Sequence, residues 1–263
     1  MIFTSQPIFS PRPWGDSDLN ELYNYNSKQP IGEVWLLSDF QGMRTLLNDS
    51  NGSQLYPDDI KDRFANFKIP RFPLLIKLIS AKEWLSLQVH PDDTSARKFE
   101  QEPWGKTECW YFLTEGKIAA GFRTTPTNFE KINMDNLEII KTNKGDLVFI
   151  EPGLVHTLGP ASKLIEIQQA SDATYRIYDW DRGRELHTEK AKKVTVFEKK
   201  VKIFPEFVSA DFEYFTIKKT HAAAGIGIAV TIDEKPQLFI VLNDSISLDT
   251  DFLWIEMGKR NWI

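Results

Sequence analysis

Gln88 and His90 stand two apart at the end of an apolar run that begins at Leu74, and Pro91 closes the segment. In a strand, residues two apart share a face, so an amide oxygen and an imidazole nitrogen aim at one point just where the strand stops. Two later segments repeat the arrangement. Lys106-Thr107-Glu108 opens a second apolar strand, and Gly153-Leu154-Val155-His156 ends a third. Two histidines and a glutamate carried on separate strands, with Gln88 beside the first, can hold a divalent ion of the zinc kind, and the same trio also suits non-haem iron.

Strand parity adds three further groups. Lys106 shares a face with Glu108, Glu166 with Gln168, and Arg176 with Tyr178. A cavity lined by the metal donors together with Lys106, Glu166 and Arg176 combines a Lewis acid, a carboxylate able to move protons, and two cations able to grip a phosphate. Plainer alternatives stand beside these. Glu108 could pair with Lys106 on a solvated face, and a histidine taken alone is more often a surface or satisfied core residue than a ligand. His187, between Glu185 and Glu189, and His221, in a polar turn, read as surface residues, and Lys98, Lys199 and Lys200 as solvated charges.

The elements that must carry these groups are mostly short strands. The pattern predicts strands over 31–37, two within 72–87, and then 108–113, 118–122, 137–142, 146–150 and 163–169, separated by glycine and proline turns. Helical signals are few: a segment from Tyr56 to Phe64 with proline in its first turn, a short helix capped by Asp93, and the polar stretch Arg184 to Lys193. Strands at this spacing with so little helix between them indicate a sandwich or barrel rather than βαβ units. Beyond about residue 196, segments near 201–204, 212–218, 226–232, 238–241 and 252–255 predict a second, smaller β unit.

The chain has 263 residues, 41% hydrophobic and 26% charged, the balance of a globular protein with a substantial core. Its formal net charge of -5, with no clustered Lys/Arg stripe, speaks against nucleic acid or an anionic membrane as a partner, while leaving room for a small anion in a local basic pocket. The single cysteine, Cys109, cannot form an internal disulfide and alternates with Glu108 and Trp110, so it faces away from the pocket as a packed thiol. No span approaches the ~20 apolar residues of a membrane helix, and the first residues lack a basic, then apolar, leader. A cytoplasmic location is expected.

At this point the residues match a family. Leu85 through Asp93, Gly105-Lys106-Thr107-Glu108, Pro152 through Gly159, Glu166-Ile167-Gln168-Gln169, Thr174 through Arg182 and Arg184 through Ala191 resemble, in order, the short bacterial type I mannose-6-phosphate isomerases. Arg12-Pro13-Trp14-Gly15 and Ile31 through Trp35 extend the likeness upstream. The resemblance implies an all-β cupin: a jelly-roll barrel with short flanking helices over residues 1–196, holding zinc, and a second cupin-like unit over 197–263. It implies one Zn2+ per chain on His90, Glu108 and His156 with Gln88 as fourth donor, Arg176 as the active-site arginine, and Lys106 and Glu166 as pocket residues for phosphate contact and proton transfer. The second unit looks shortened next to the family, ending in an unfamiliar stretch from Phe252 to Ile263, and a homodimer is one way to cover the edge this would leave.

The implied activity is metal-dependent interconversion of D-mannose 6-phosphate and D-fructose 6-phosphate. A cupin that binds metal and sugar without turning sugar over is the alternative from another class, and an iron dioxygenase is a second. Lys106 and Arg176 weigh toward an anionic substrate and against the oxygenase.

Overall fold

Strand Leu74–Ala81 is buried along its whole length, so it lacks the in-and-out alternation of a half-exposed strand. The reason is its position, near the middle of a seven-stranded antiparallel sheet covered on both faces. The computed structural model describes residues 1–65 and 68–258. In spatial order the central sheet runs Lys202–Phe204, Leu147–Ile150, Glu108–Phe112, Ser162–Gln169, Leu74–Ala81, Ile31–Leu37 and Ile8–Pro11. The expectation of an all-β chain of short strands with little helix holds, and the architecture is of the cupin kind, two facing sheets with a further sheet behind.

On one side of the central sheet lies a five-stranded sheet, ordered Leu137–Thr142, Gly116–Phe122, His156–Leu158, Leu87–Val89 and Tyr175–Tyr178. Trp110, Phe112, Ile79, Val148 and Leu164 from the first sheet pack with Ile118, Ala120 and Leu158 from the second. Each such large apolar side chain taken fully out of water contributes about 1.5–3 kcal/mol before the entropy of ordering it is set against it. The outer face of the five-stranded sheet is covered by the helix Thr188–Val194, whose Ala191 and Val194 join Leu87, Val89 and Tyr175.

The other face of the central sheet packs on a six-stranded sheet: Ser209–Asp211, Phe215–Thr231, Leu238–Met257, Ile2–Gln6, Leu46–Asp49 and Gln54–Leu55. Its two long strands pair with each other twice, Ile228 meeting both Ile240 and Ile255. The first strand of the chain pairs with the last, Phe3 opposite Ile240, so strands from both sides of residue 196 build this sheet. The unfamiliar stretch that begins at Phe252 belongs to that long strand through Met257; its residues 259–263 lie outside the described residues. Among those described, no helix is long and apolar enough to cross a membrane.

Two local expectations change. His156 opens the strand His156–Leu158 instead of ending one, because Gly153 turns the chain in the left-handed region at φ 85° and the Leu154 amide bonds back to the Glu151 carbonyl. Asp92, not Asp93, caps the helix Asp93–Glu100, accepting from the Ser95 amide at 2.8 Å. Asp93 is instead buried and accepts from the Gly105 amide at 2.8 Å.

Candidate metal centre and its cleft

The register of the strands decides which side chains meet. In the five-stranded sheet, Gln88 is directly opposite His156 on one side and Arg176 on the other, so these three form one inward-facing row. In the central sheet, Trp35, Lys77, Glu166, Trp110 and Val148 form another row, and Glu108 lies opposite Gln168. Gly105 lets the start of the Glu108 strand approach His90: a Cβ there would lie 2.4 Å from the Pro91 carbonyl oxygen. The Lys106 amide bonds that same carbonyl, and the Gly153 amide bonds the His90 carbonyl, tying the three donor segments together at their backbones.

His90, Glu108 and His156 are wholly buried, and one donor atom from each lies within 4.8 Å of the others. His90 Nε2 is 3.5 Å from one carboxylate oxygen of Glu108, and His156 Nε2 is 3.4 Å from the other. Behind each ring stands a main-chain carbonyl, of Ala173 at 3.1 Å from His90 Nδ1 and of Leu154 at 2.9 Å from His156 Nδ1. A carbonyl only accepts, so the proton of each neutral ring is on Nδ1, and both Nε2 lone pairs turn toward Glu108.

Charge state agrees with geometry. Burial, and after it the Lys106 ammonium, push the His90 pKa down to about 3, so the ring is neutral near pH 7 as a ligand must be. Burial alone would raise the Glu108 pKa, but the Lys106 ammonium at 3.1 Å outweighs it and holds this carboxyl well below the usual range. His90 Nε2 and both Glu108 oxygens are buried without a hydrogen bond. Such groups are expensive to leave unsatisfied in a dry interior. A divalent cation among them would satisfy all three donors, so the residues present fit the ion. Gln88 sits next to this trio with its amide nitrogen 3.4 Å from His156 Nε2 and its oxygen accepting from the Ser86 hydroxyl. A half-turn of the amide would exchange donor for ligand.

Beside the trio opens a cleft of ≈ 330 Å³ whose walls include Gln88, Lys106, Glu166 and Arg176. A larger hollow of ≈ 670 Å³, with Asp92, Glu151, Lys199 and Phe212 in its walls, contains none of the four donors and is not where this chemistry lies. Glu166 is tied down at both oxygens, to Lys77 Nζ at 2.8 Å and to the Trp110 indole nitrogen at 3.2 Å. Lys77 also donates to Gln168 at 2.9 Å. Burial would lower the Lys77 pKa, but the carboxylates of Glu166 and Glu33 outweigh it and raise it, so the amine is a fixed cation.

Lys77, Glu33, Arg12 and Arg184 line the cleft and were not singled out from sequence. For Lys77 and Glu33 a signal was present: each is the lone charge in an otherwise apolar strand, Leu-Leu-Ile-Lys-Leu-Ile-Ser-Ala and Ile-Gly-Glu-Val-Trp-Leu-Leu. Glu33 accepts from Arg12 at 2.9 Å and from Trp35 at 2.8 Å. Burial pushes its pKa up, yet Lys77 and Arg12 bring it down to about 2.

Arg176 and Tyr178 do not share a face. The register slips between them, Arg176 opposite Gln88 and Tyr178 opposite Leu87, so a bulge at Ile177 keeps the arginine in the cleft and packs the tyrosine with the cluster behind the sheet. His187, expected on the surface, instead braces the Arg176 backbone. Its Nδ1 accepts from the Arg176 amide at 3.1 Å, and its amide donates to the Arg176 carbonyl at 2.7 Å. Cys109 is buried on the opposite face of its strand from Glu108, as expected.

Fold and site together define a cupin-type β-sandwich with a buried His-Glu-His donor set opening on a cationic cleft. A model of the phosphomannose isomerase type I catalytic domain matches residues 2–125. The chain is 31% identical over 267 residues to the mannose-6-phosphate isomerase ManA of Bacillus subtilis, covering 89% of this chain and 83% of that one. It is 32% identical over 216 residues to the mannose-6-phosphate isomerase of Streptococcus mutans, covering 74% and 68%. The chain thus belongs to the type I mannose-6-phosphate isomerase family. It spans 66% and 65% of the length of two further Bacillus subtilis relatives, at 34% and 35% identity. Among solved structures, the Bacillus subtilis mannose 6-phosphate isomerase superposes with a TM-score of 0.72 at 24% identity, covering 98% of this chain and 97% of that one. A mannose 6-phosphate isomerase bound with zinc and yttrium superposes at 0.70 with 14% identity, covering 98% and 99%. Both support the fold.

Proposed function

We propose that this chain interconverts D-mannose 6-phosphate and D-fructose 6-phosphate, with one zinc ion per chain held by His90, Glu108 and His156 and completed by the Gln88 amide. The observation that carries it is the buried donor trio, lacking hydrogen bonds at three of its atoms, beside a cleft lined by cations. When bound, zinc supplies Lewis acidity for the carbonyl and hydroxyl at C1 and C2.

Moving the carbonyl between these carbons requires a proton to leave one and arrive at the other. Glu166, a buried carboxylate of the cleft wall, is the proposed carrier, with Lys77 and Trp110 fixing its orientation. Lys106, next to Glu108, and Arg176 supply positive charge to the oxygens of the sugar phosphate. The lone buried thiol and small phosphorylated substrate suit a cytoplasmic enzyme, and pairing of two chains belongs to the same reading.

Assay of sugar-phosphate exchange on the purified protein, with metal analysis before and after a chelator, tests this. The expected result is one zinc per chain and exchange that disappears on its removal. Sugar-phosphate binding without exchange would replace the enzyme with a sugar-binding cupin, and iron with oxygen consumption would replace it with a dioxygenase. Near-normal turnover of Glu166→Gln with zinc still bound would remove Glu166 as proton carrier.

A further inference from the structure

Five cationic side chains line the cleft: Arg12, Lys77, Lys106, Arg176 and Arg184. Four have a carboxylate within ion-pair distance: Arg12 has Glu33, Lys77 has Glu166, Lys106 has Glu108 and Arg184 has Asp179. Arg176 has none among the described residues; its guanidinium donates only to the Glu185 carbonyl, at 3.3 Å. Burial and then the neighbouring Arg184 guanidinium push its pKa down, against the opposing pull of the more weakly acting carboxylates of Asp179, Asp172 and Glu185. Like charges held side by side repel unless an anion comes between them.

The fold holds Arg184 there. Buried Asp179 grips it at two nitrogens, with Nε at 2.7 Å from one carboxylate oxygen and Nη2 bonding the other. The chain returns from Asp179 to Arg184 through a turn in which Trp180, Asp181 and Gly183 all have positive φ, 56°, 55° and 75°. That turn is fastened to the neighbouring loop by the Trp180 indole on the Leu85 carbonyl at 2.8 Å and by Arg182 on the Trp84 carbonyl at 2.9 Å. Two non-glycine residues in the left-handed region persist only where the surroundings enforce them.

We propose that Arg184, oriented by Asp179, forms with Arg176 a two-guanidinium clamp for the phosphate of the sugar, resting on the isomerase reading above. Lys106 is then left to the metal end, where its ammonium already lies 3.1 Å from Glu108. Planar guanidiniums suit phosphate because each can offer two parallel N–H groups to its oxygens. Arg184 thereby determines specificity for phosphorylated over free sugar, and Asp179 is a positioning residue.

The test uses the full-length, metal-loaded protein. For Arg184→Ala, KM for mannose 6-phosphate rises by about 10- to 100-fold, the size expected for losing charge-assisted hydrogen bonds, and inhibition by inorganic phosphate weakens in parallel. Turnover at saturation falls far less than KM rises. Arg184→Lys keeps the charge and lies between, and Asp179→Asn raises KM by less than Arg184→Ala. The proposal is overturned if Arg184→Ala keeps both KM and phosphate inhibition within twofold of the parent, or if kcat alone falls. Should Arg184→Ala fail to fold, Arg184→Lys decides: a KM and phosphate inhibition equal to the parent's overturn the clamp. A parent protein with no exchange activity would defeat the isomerase reading instead; phosphate binding measured by calorimetry on parent and Arg184→Lys would still judge the clamp.

Discussion

The floor and the mouth of the cleft are built by opposite means. At the floor, His90, Glu108 and His156 have no exposure at all; they are fixed by strand register and by carbonyls behind each ring, and three of their atoms lack a hydrogen bond. At the mouth, Arg176 and Arg184 are part-exposed, set by a bulge and a strained turn, and one of them is gripped by a buried carboxylate. Rigid sheets suit the end where a metal must meet its donors to within a fraction of an ångström. Turns suit the end that must admit a sugar phosphate and that can change its reach without disturbing the core.

Breaking the floor has the largest expected effect. Glu108→Gln removes the only negative donor of the trio, so bound metal measured by elemental analysis drops to a small fraction of the parent's and exchange falls at least about a hundredfold. Retention of full metal content would place the ion elsewhere and collapse the contrast. Next comes the wall that joins floor and mouth. Lys77→Met leaves Glu166 and Glu33 buried without their shared cation, which costs about 3–5 kcal/mol and lowers Tm by roughly 10 °C. The double change Lys77→Met/Glu166→Gln recovers part of that loss in thermal unfolding; equal melting of single and double variants would mean the pair is not coupled. The smallest effect is at the mouth. Asp181→Gly relieves a left-handed residue on an exposed turn, where about 1–2 kcal/mol of strain is partly offset by the greater chain entropy of glycine. A rise in Tm of about 1–2 °C is expected, and a fall would show that the turn carries no such strain.

Strands report their facing in sequence, and loops do not. Gln88 with His90 and Lys106 with Glu108 could be placed because a period of two is a local property of an extended chain, readable from a few residues. The same rule failed at Arg176 and Tyr178, where one extra residue in a bulge reverses parity, and it missed Arg184, whose place depends on a turn fastened to the 83–85 loop, far away in the chain. Lys77 was legible in principle, as a lone charge among aliphatic residues, but its partner Glu166 is 89 positions away.

By itself the sequence determined the element types, the kinds of donor available, and the ordered motifs by which the chain resembles its family. All of these follow from local residue patterns. Tertiary structure alone decided that His156, Gln88 and Arg176 lie side by side, that Lys77 joins Glu166 to Gln168, and that two guanidiniums face one cleft. Those contacts join residues tens of positions apart, and only the register between strands, set by packing of the whole sandwich, brings them within reach of one another.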